Sequence, residues 1–571
     1  MDFDRRSSYP EEDAVRAEVD GQRNFQQAPN KAAPRALKSR RSSEPRNHTT
    51  VYDEHIRDAF IRALRGIKPS PSNWLAGTIS PQKRDIMASS VKDIRMTKEP
   101  AESASPIIQW GKYRFPPGLR YNLPLYMLAG FFDRRNPIPL FEHLAKFGRA
   151  AHYRILSHHV MLLNDPSDIR EVLVDKAQFF IKERTQKRMK ILLGDGLITA
   201  DGEAHKRQRR IAAPAFHRQR IQAYAGTIVD YAAAMRDQWQ PGTQIDVAAE
   251  MMRLALQITA RTLFDTEVTP EIQTINDEAN AVMDMYDALV AMPRAEDLLR
   301  WRIPVPVLMR FRKSKSRLDA VVDSMIARKQ AETAKAAHEG RPVGSDLLSM
   351  LIAARDDDPA QDSSKRLNSE ELRDEVLTIF LAGYETVANA LSWTWLLLGQ
   401  NPEAEARLHA ELDATLAGRL PALEDLPRLR YTEMVISESM RLYPPAWAMG
   451  RQATQDIEIG PYCVPKGTYL LFSQYIVQRN PNYFPDPLAF RPERFTAEAK
   501  AQRPKFAYFP FGGGGRQCIG ESFAWMEAVL VLATLAQHWR AKVVEDQQIA
   551  VQPKITLRPK FGIQTILDSR G

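Results

Sequence analysis

The chain has 571 residues, only two cysteines and a net charge of +9, with a pI near 9.3. Two cysteines exclude a disulfide framework, four-thiolate zinc sites and self-contained four-cysteine iron–sulfur clusters, and they suit a reducing compartment. The moderate positive charge suits an acidic partner or an anionic surface, and no basic–aromatic interleaving points to nucleic acid.

No run approaches the ~18 apolar residues needed to cross a bilayer. The best candidate, residues 123–132, is short and broken by Pro124. The first twenty residues carry Asp2, Asp4, Glu11, Glu12, Asp13, Glu18 and Asp20, unlike a secretory or mitochondrial leader. The expectation is a cytoplasmic protein without a transmembrane segment, with peripheral membrane contact left open.

Residues 1–105 are rich in Ser, Pro, Arg, Asp and Glu and poor in aliphatics. Such a stretch cannot bury enough apolar surface to offset its ordering entropy, so it reads as a largely disordered extension. Within it, Thr50-x-x-Asp53 resembles a capping box, and Val51, Ile56, Phe60, Leu64 and Ile67 keep helical spacing, which predicts a short helix over 50–67. Residues 106–571 read as one folded domain, entered by the rigid turn Phe115-Pro-Pro-Gly118 near Gly111.

Residues 151–156 and 159–163 read as two strands, and Asp165-Pro-Ser-Asp168 opens a helix running to Lys176. A basic helix-like stretch spans 202–220, kinked at Pro214. In it His205 and Arg209 share one face at i, i+4 and suit a carboxylate, while Lys206, Arg207 and Arg210 spread over the others as a solvated face. Helices dominate onward to about Leu442, and a small β region follows between 457 and 472.

Asn368-x-x-Glu371 is a capping box opening an almost unbroken apolar run to Leu398, a helix of roughly 45 Å. The run is interrupted by Ala382-Gly-Tyr-Glu-Thr386. An acid and an alcohol inside a buried helix are costly without partners, so Glu385 and Thr386 read as a proton relay facing a bound ligand. Thr386 is also able to bond back to a carbonyl one turn earlier. Further on, Glu438 and Arg441 share a face at i, i+3, and with Arg494 from the loop Phe490-Arg-Pro-Glu-Arg-Phe495 they form a candidate structural lock. Cys463 lies in a hairpin-like stretch and reads as structural.

The motif Phe511-Gly-Gly-Gly-Gly-Arg-Gln-Cys-Ile-Gly520 precedes a helix-like run over 521–536. Its glycines would let something bulky lie against bare backbone, and its N–H groups and the helix N-terminus would favour the Cys518 thiolate. Four readings stay open on the loop alone: a phosphate cradle, which lacks Gly-Lys-Ser/Thr; a nucleophilic cysteine; a buried structural cysteine; and a thiolate ligand to haem iron, with Arg516 for a propionate.

The ordered set resembles a family. Phe511-x-x-Gly514-x-Arg516-x-Cys518-x-Gly520 matches the fixed positions of the cytochrome P-450 haem-thiolate signature. Ahead of it, in that family's order, stand Ala382-Gly-x-Glu-Thr386, Glu438-x-x-Arg441 and Pro492-Glu-Arg-Phe495. His205-x-x-x-Arg209 resembles the family's propionate-binding helix, with His where many members carry Trp.

The resemblance implies a mainly α fold with small β-sheets (α+β), with haem b between a long distal helix and a proximal helix after the Cys loop. It implies Cys518 as iron ligand shielded by Phe511, with Arg516, His205, Arg209 and Arg451 on the propionates. Gly383 would leave room for dioxygen, and Glu385 and Thr386 would deliver protons. The substrate would be a small apolar molecule bordered by 176–193, 283–309, Ala382 and 446–449. The implied activity is monooxygenation, as in soluble bacterial-type members, with electrons derived from NAD(P)H through a separate ferredoxin or flavodoxin. Peroxide-using, isomerising or non-catalytic sensor relatives are the alternatives.

Overall fold

The computed structural model describes residues 107–124, 136–267, 270–291, 299, 304–340, 346–354 and 367–570. They belong to the second of the chain's two units, Asp85–Gly571. The expected extension, the 50–67 helix and most of the 123–132 run lie outside the described residues.

The architecture is mainly helical with small sheets, as the sequence reading expects, and it is built around the helix Ser369–Gln400. Asn368 caps it: Oδ1 accepts from the N–H groups of Glu370 and Glu371 at 3.0 and 2.9 Å, and the Asn368 N–H donates to Glu371 Oε2 at 2.9 Å. The capping box thus satisfies both ends of its reciprocal pair. From Val376 to Leu381 and from Val387 to Leu398 every residue is buried, so this helix is wrapped on all sides rather than amphipathic. Three of its hydroxyls fold back on the backbone: Thr386, Ser392 and Thr394 donate to the carbonyls of Ala382, Ala388 and Ala390 at 2.9, 2.6 and 2.7 Å. Against it pack the helices Val247–Phe264, Arg430–Leu442 and Glu521–Ala536.

A six-stranded mixed sheet lies beside this core, in the order Gly118–Asn122, Ala150–Ile155, His158–Leu163, Tyr469–Phe472, Met449–Ala453, Phe180–Lys182. The predicted hairpin is present but one residue earlier, because Leu156 takes a left-handed φ of 54° and ends the first strand at Ile155. The strands Met449–Ala453 and Phe180–Lys182 were missed by the sequence reading. Their pairing places Lys182 directly across from Arg451. The basic stretch divides as expected, into Gly202–Ala212, a 3₁₀ turn through Pro214 and the helix Arg218–Ala223.

At the expected lock, Glu438 and Arg441 are hydrogen-bonded through both carboxylate oxygens, and Arg494 stands at ion-pair distance. Arg441 donates through Nε and Nη2 to the two carboxylate oxygens at 2.6 and 2.8 Å, and Arg494 Nε stands 3.3 Å from Oε1. The remaining Arg441 donors reach the carbonyls of Gln478, Pro487 and Ala489 at 2.9, 2.7 and 3.1 Å. Glu438 and Arg441 are both 0 % exposed. A buried pair with every donor satisfied holds three chain segments in register; removing one partner leaves the other charge stranded. Arg441→Ala is therefore expected to destabilise the fold by roughly 3–5 kcal/mol in denaturant unfolding, whereas a loss under ~1 kcal/mol would show that the lock is dispensable.

Candidate active site

The middle of the central helix and the Cys loop face one another across a cavity of about 390 Å³. Cys518 counts as exposed, but it opens onto this cavity, which it lines. The Cys518 N–H donates to the Phe511 carbonyl at 3.0 Å, closing the loop on itself, and the Phe511 ring sits 5.8 Å from that of Trp525. Gly512, Gly513 and Gly520 line the cavity, while Gly514 serves the loop's own path. Gly514 has φ +68°, and a Cβ there would fall 2.1 Å from the Leu173 carbonyl oxygen.

The expectation of a thiolate favoured by the loop is not met by the loop alone. Burial pushes the Cys518 thiol up to about 11, outweighing the lowering by the Gly520 N–H and Arg209. Desolvation penalises the anion more than one N–H and one partly distant guanidinium recover.

One edge of the cavity is strongly cationic. Arg516, His205, Arg209 and Arg451, all singled out in the sequence, line it together with Lys182, which was not. Arg516 donates to the Ala200 carbonyl at 2.9 Å and pairs with Asp201 at 2.6 Å; Arg209 donates to the Gln517 carbonyl at 2.8 Å. Burial and the neighbouring Arg516 and Arg451 drive Lys182 down to about 7. Burial and then Arg516, Lys182 and Arg209 drive His205 down to about 3, so its imidazole is neutral. Arg451 falls to about 10, mainly through burial and then Arg516. Like charges opposite one another on neighbouring strands repel, so this edge is built for an anion. A flat group with a metal centre for sulfur and two carboxylates at one rim fits these residues; haem has that donor demand.

The distal wall comes from Ala382, Gly383, Thr386 and Val387. The Thr386 hydroxyl donates to Ala382, as expected, and remains able to accept. The space beside Gly383 is largely used by the neighbouring helix: a Cβ there would lie 3.3 Å from Thr259 Cγ2 and 3.6 Å from Leu263 Cδ1. Glu385 differs from its reading. It is 3 % exposed, is not among the cavity's lining residues, and accepts from Arg558 Nε at 2.7 Å and from the Thr556 hydroxyl.

The remaining walls are apolar, with Met189, Leu197, Ile198, Ile436, Met440 and Met449. Leu197 is fixed by its N–H donating to Glu375 at 2.9 Å. No described residue of 283–309 lines the cavity: Met283 lies 3.6 Å from an Arg558 nitrogen, and Met309 is exposed. Nor is the basic helix a free cationic face throughout. Arg207 is paired with Glu371 at 2.7 Å and Lys206 with Glu203 at 2.7 Å.

Fold and cavity together define a cofactor-dependent enzyme with an apolar chamber. The sequence matches the Cytochrome P450 family over residues 116–565. It is 36% identical over 423 residues to cyclooctatin synthase of Streptomyces melanosporofaciens, across 74% of this chain and 89% of that protein. It is 35% identical over 410 residues to cyclooctat-9-en-7-ol 5-monooxygenase of the same organism, across 72% of this chain and 86% of that protein. The fold is similar to the haem domain of cytochrome P450DA, with a TM-score of 0.69 at 24% identity over 80% of this chain and 97% of that one. This protein belongs to the cytochrome P450 family. It is an oxidoreductase of the monooxygenase type, and its family implies a haem cofactor.

Proposed function

We propose that the protein is a haem-thiolate monooxygenase inserting one oxygen atom of dioxygen into a cyclic, largely hydrocarbon substrate, by hydroxylation or epoxidation. The observation that carries this is that Cys518, Thr386, the apolar walls and the cationic edge line the same cavity. Similarity to a monooxygenase acting on cyclooctat-9-en-7-ol supports a ring-shaped apolar substrate. The catalytic unit is assigned to residues 106–571, with 1–105 as a polar extension, and the protein to the cytoplasm, since its free cysteines suit a reducing compartment.

Haem b, when bound, supplies the activation of dioxygen. The chain's own residues do the rest. Cys518 presents its sulfur to the metal, and Phe511 covers the loop that carries it. Arg516, Arg209, Arg451, His205 and Lys182 would hold the haem carboxylates, His205 as a neutral donor. Thr386 holds a proton at Oγ1 on the distal side, anchored through Ala382. The methionine and leucine walls exclude water and hold the substrate by burial. Electrons come from NAD(P)H through a separate ferredoxin or flavodoxin. The net charge of +9 and the exposed loop residues Gly515 and Gln517 suit an acidic donor surface.

Cys518→Ser should abolish the long-wavelength Soret band of the reduced carbonyl complex while the fold persists; an unchanged band would remove Cys518 from the metal. Thr386→Ala should retain haem but send electrons to hydrogen peroxide, lowering product per electron pair by about 100-fold. Full coupling in that variant would place proton delivery elsewhere. Reduction by an acidic donor should slow by roughly tenfold between low and physiological salt, and a flat salt profile would count against steering.

A further inference from the structure

The cavity wall that carries Leu197 and Ile198 belongs to a loop, residues 194–201, tied down at both ends. At the central helix, two successive acids accept from alternate backbone groups. The Asp195 N–H donates to Asp374 Oδ2 at 2.8 Å, and the Leu197 N–H donates to Glu375 Oε2 at 2.9 Å. At the cationic edge, the Ala200 carbonyl accepts from Arg516 at 2.9 Å, and Asp201 pairs with Arg516 at 2.6 Å. Between the two ends, the Thr199 hydroxyl folds back on the Gly194 and Gly196 carbonyls at 2.6 and 3.0 Å.

Two glycines let this strap lie flush on the helix. A Cβ at Gly196 would fall 2.2 Å from Thr378 Oγ1 and 2.7 Å from the Asp374 carbonyl oxygen, and one at Gly194 would run into the Asp374 carboxylate. Leu197 is buried while Asp195 and Ile198 are exposed, so the strap is an outer wall of the cavity. Glu375 is 1 % exposed, and its other oxygen, Oε1, has no protein partner. An acid placed in an apolar helix for one hydrogen bond is costly. That one bond satisfies the backbone of a residue that lines the cavity.

We propose that Glu375, together with Asp374, is a specificity-determining positioning residue: by holding the Leu197 backbone against the central helix it fixes where this wall stands relative to Thr386, and so which size of ring the cavity accepts. Glu375 and Thr386 lie roughly 16 Å apart along the same helix, so wall and distal alcohol share one rigid support. Thr378, Ala382 and Thr386 recur at i, i+4 and i+8 on the face that lines the cavity, and the strap is fixed at the first of them. The proposal rests on the apolar-substrate reading for what is selected, but not for the holding itself.

The test uses the haem-loaded protein and its variants Glu375→Gln, Glu375→Ala, Gly196→Ala and Leu197→Ala. Hydrogen exchange across 194–201 reads the strap. The dissociation constants of cyclooctene and cyclododecene, from their Soret shifts, read the ring size accepted. Glu375→Ala and Gly196→Ala should each speed exchange by about tenfold and move the ratio of the two constants about tenfold in favour of the larger ring. Leu197→Ala, which trims the wall and leaves both acids in place, should move the ratio the same way with exchange within about twofold of the parent. Glu375→Gln, which keeps an acceptor for the Leu197 N–H, should stay within about twofold in both readouts.

The proposal is overturned if Glu375→Ala leaves exchange and the ratio as in the parent, or if Leu197→Ala leaves the ratio unmoved. Faster exchange in Glu375→Ala without a change in the ratio would equally overturn it, since the strap would then be held without selecting anything. Should Glu375→Ala fail to load haem, Gly196→Ala decides by the same two readouts, because it leaves both acids intact. Absence of a shift with either cycloalkene in the parent would count against the apolar-substrate reading alone, and exchange at 194–201 would still decide the holding.

Discussion

The cavity depends on a repulsion that the protein does not resolve by itself. Lys182 and Arg451 face each other across neighbouring strands, both buried, with Arg516 close enough to depress both. Asp201 answers Arg516, and its carboxylate also lies 3.3 Å from the Lys182 N–H, yet the cations still outnumber the acid on this edge. Burying like charges together is among the least favourable arrangements in a fold. It persists here because the surrounding sheet is held from elsewhere: Tyr469–Phe472 ties Met449–Ala453 to the hairpin, and the Glu438–Arg441–Arg494 lock braces the segments behind it. Stability invested in the lock allows electrostatic incompleteness at the site.

The central helix serves two clients on two faces. Ala382, Gly383 and Thr386 look into the cavity; Glu385, Asn389 and Trp393 look toward the C-terminal hairpin. Because the helix is buried all round, Glu385, Asn389 and Trp393 take their partners from the hairpin packed against it. Gly383 belongs to this scheme as well, since the close approach of Thr259 brings the helix Val247–Phe264 against the same turn.

What could be read from the sequence was what depends on local spacing. The capping box at Asn368, the back-bonding of Thr386, the Glu438–Arg441 pair and the kink at Pro214 are relations within four residues or at a single proline, and the structure shows each. Lys182 was invisible for the opposite reason. Its partner in register, Arg451, is far off in the chain, and both sit on strands too short for alternation to register. Glu385 was legible as a buried acid but not in its direction, because a run apolar on every side gives no moment from which to tell one face from another. The 283–309 border, implied by the resemblance, fails at Met283, which meets Arg558 and not the cavity.

The two ends of the cavity err electrostatically in opposite senses. At the loop, burial holds the Cys518 thiol up to about 11, more than the Gly520 N–H and Arg209 bring it down. At the sheet edge, burial and then Arg516 pull Lys182 down to about 7 and Arg451 to about 10, more than Asp201 brings them back. A ligand carrying positive charge at its centre and negative charge at one rim corrects both at once, whereas a uniformly anionic or uniformly cationic ligand relieves one end and worsens the other. Neither the glycines of the loop nor the arginines of the edge select such a ligand alone. The selectivity lies in the paired deficit, and the protein holds that deficit open by spending its satisfied ion pairs, Glu438 with Arg441 and Glu385 with Arg558, outside the cavity.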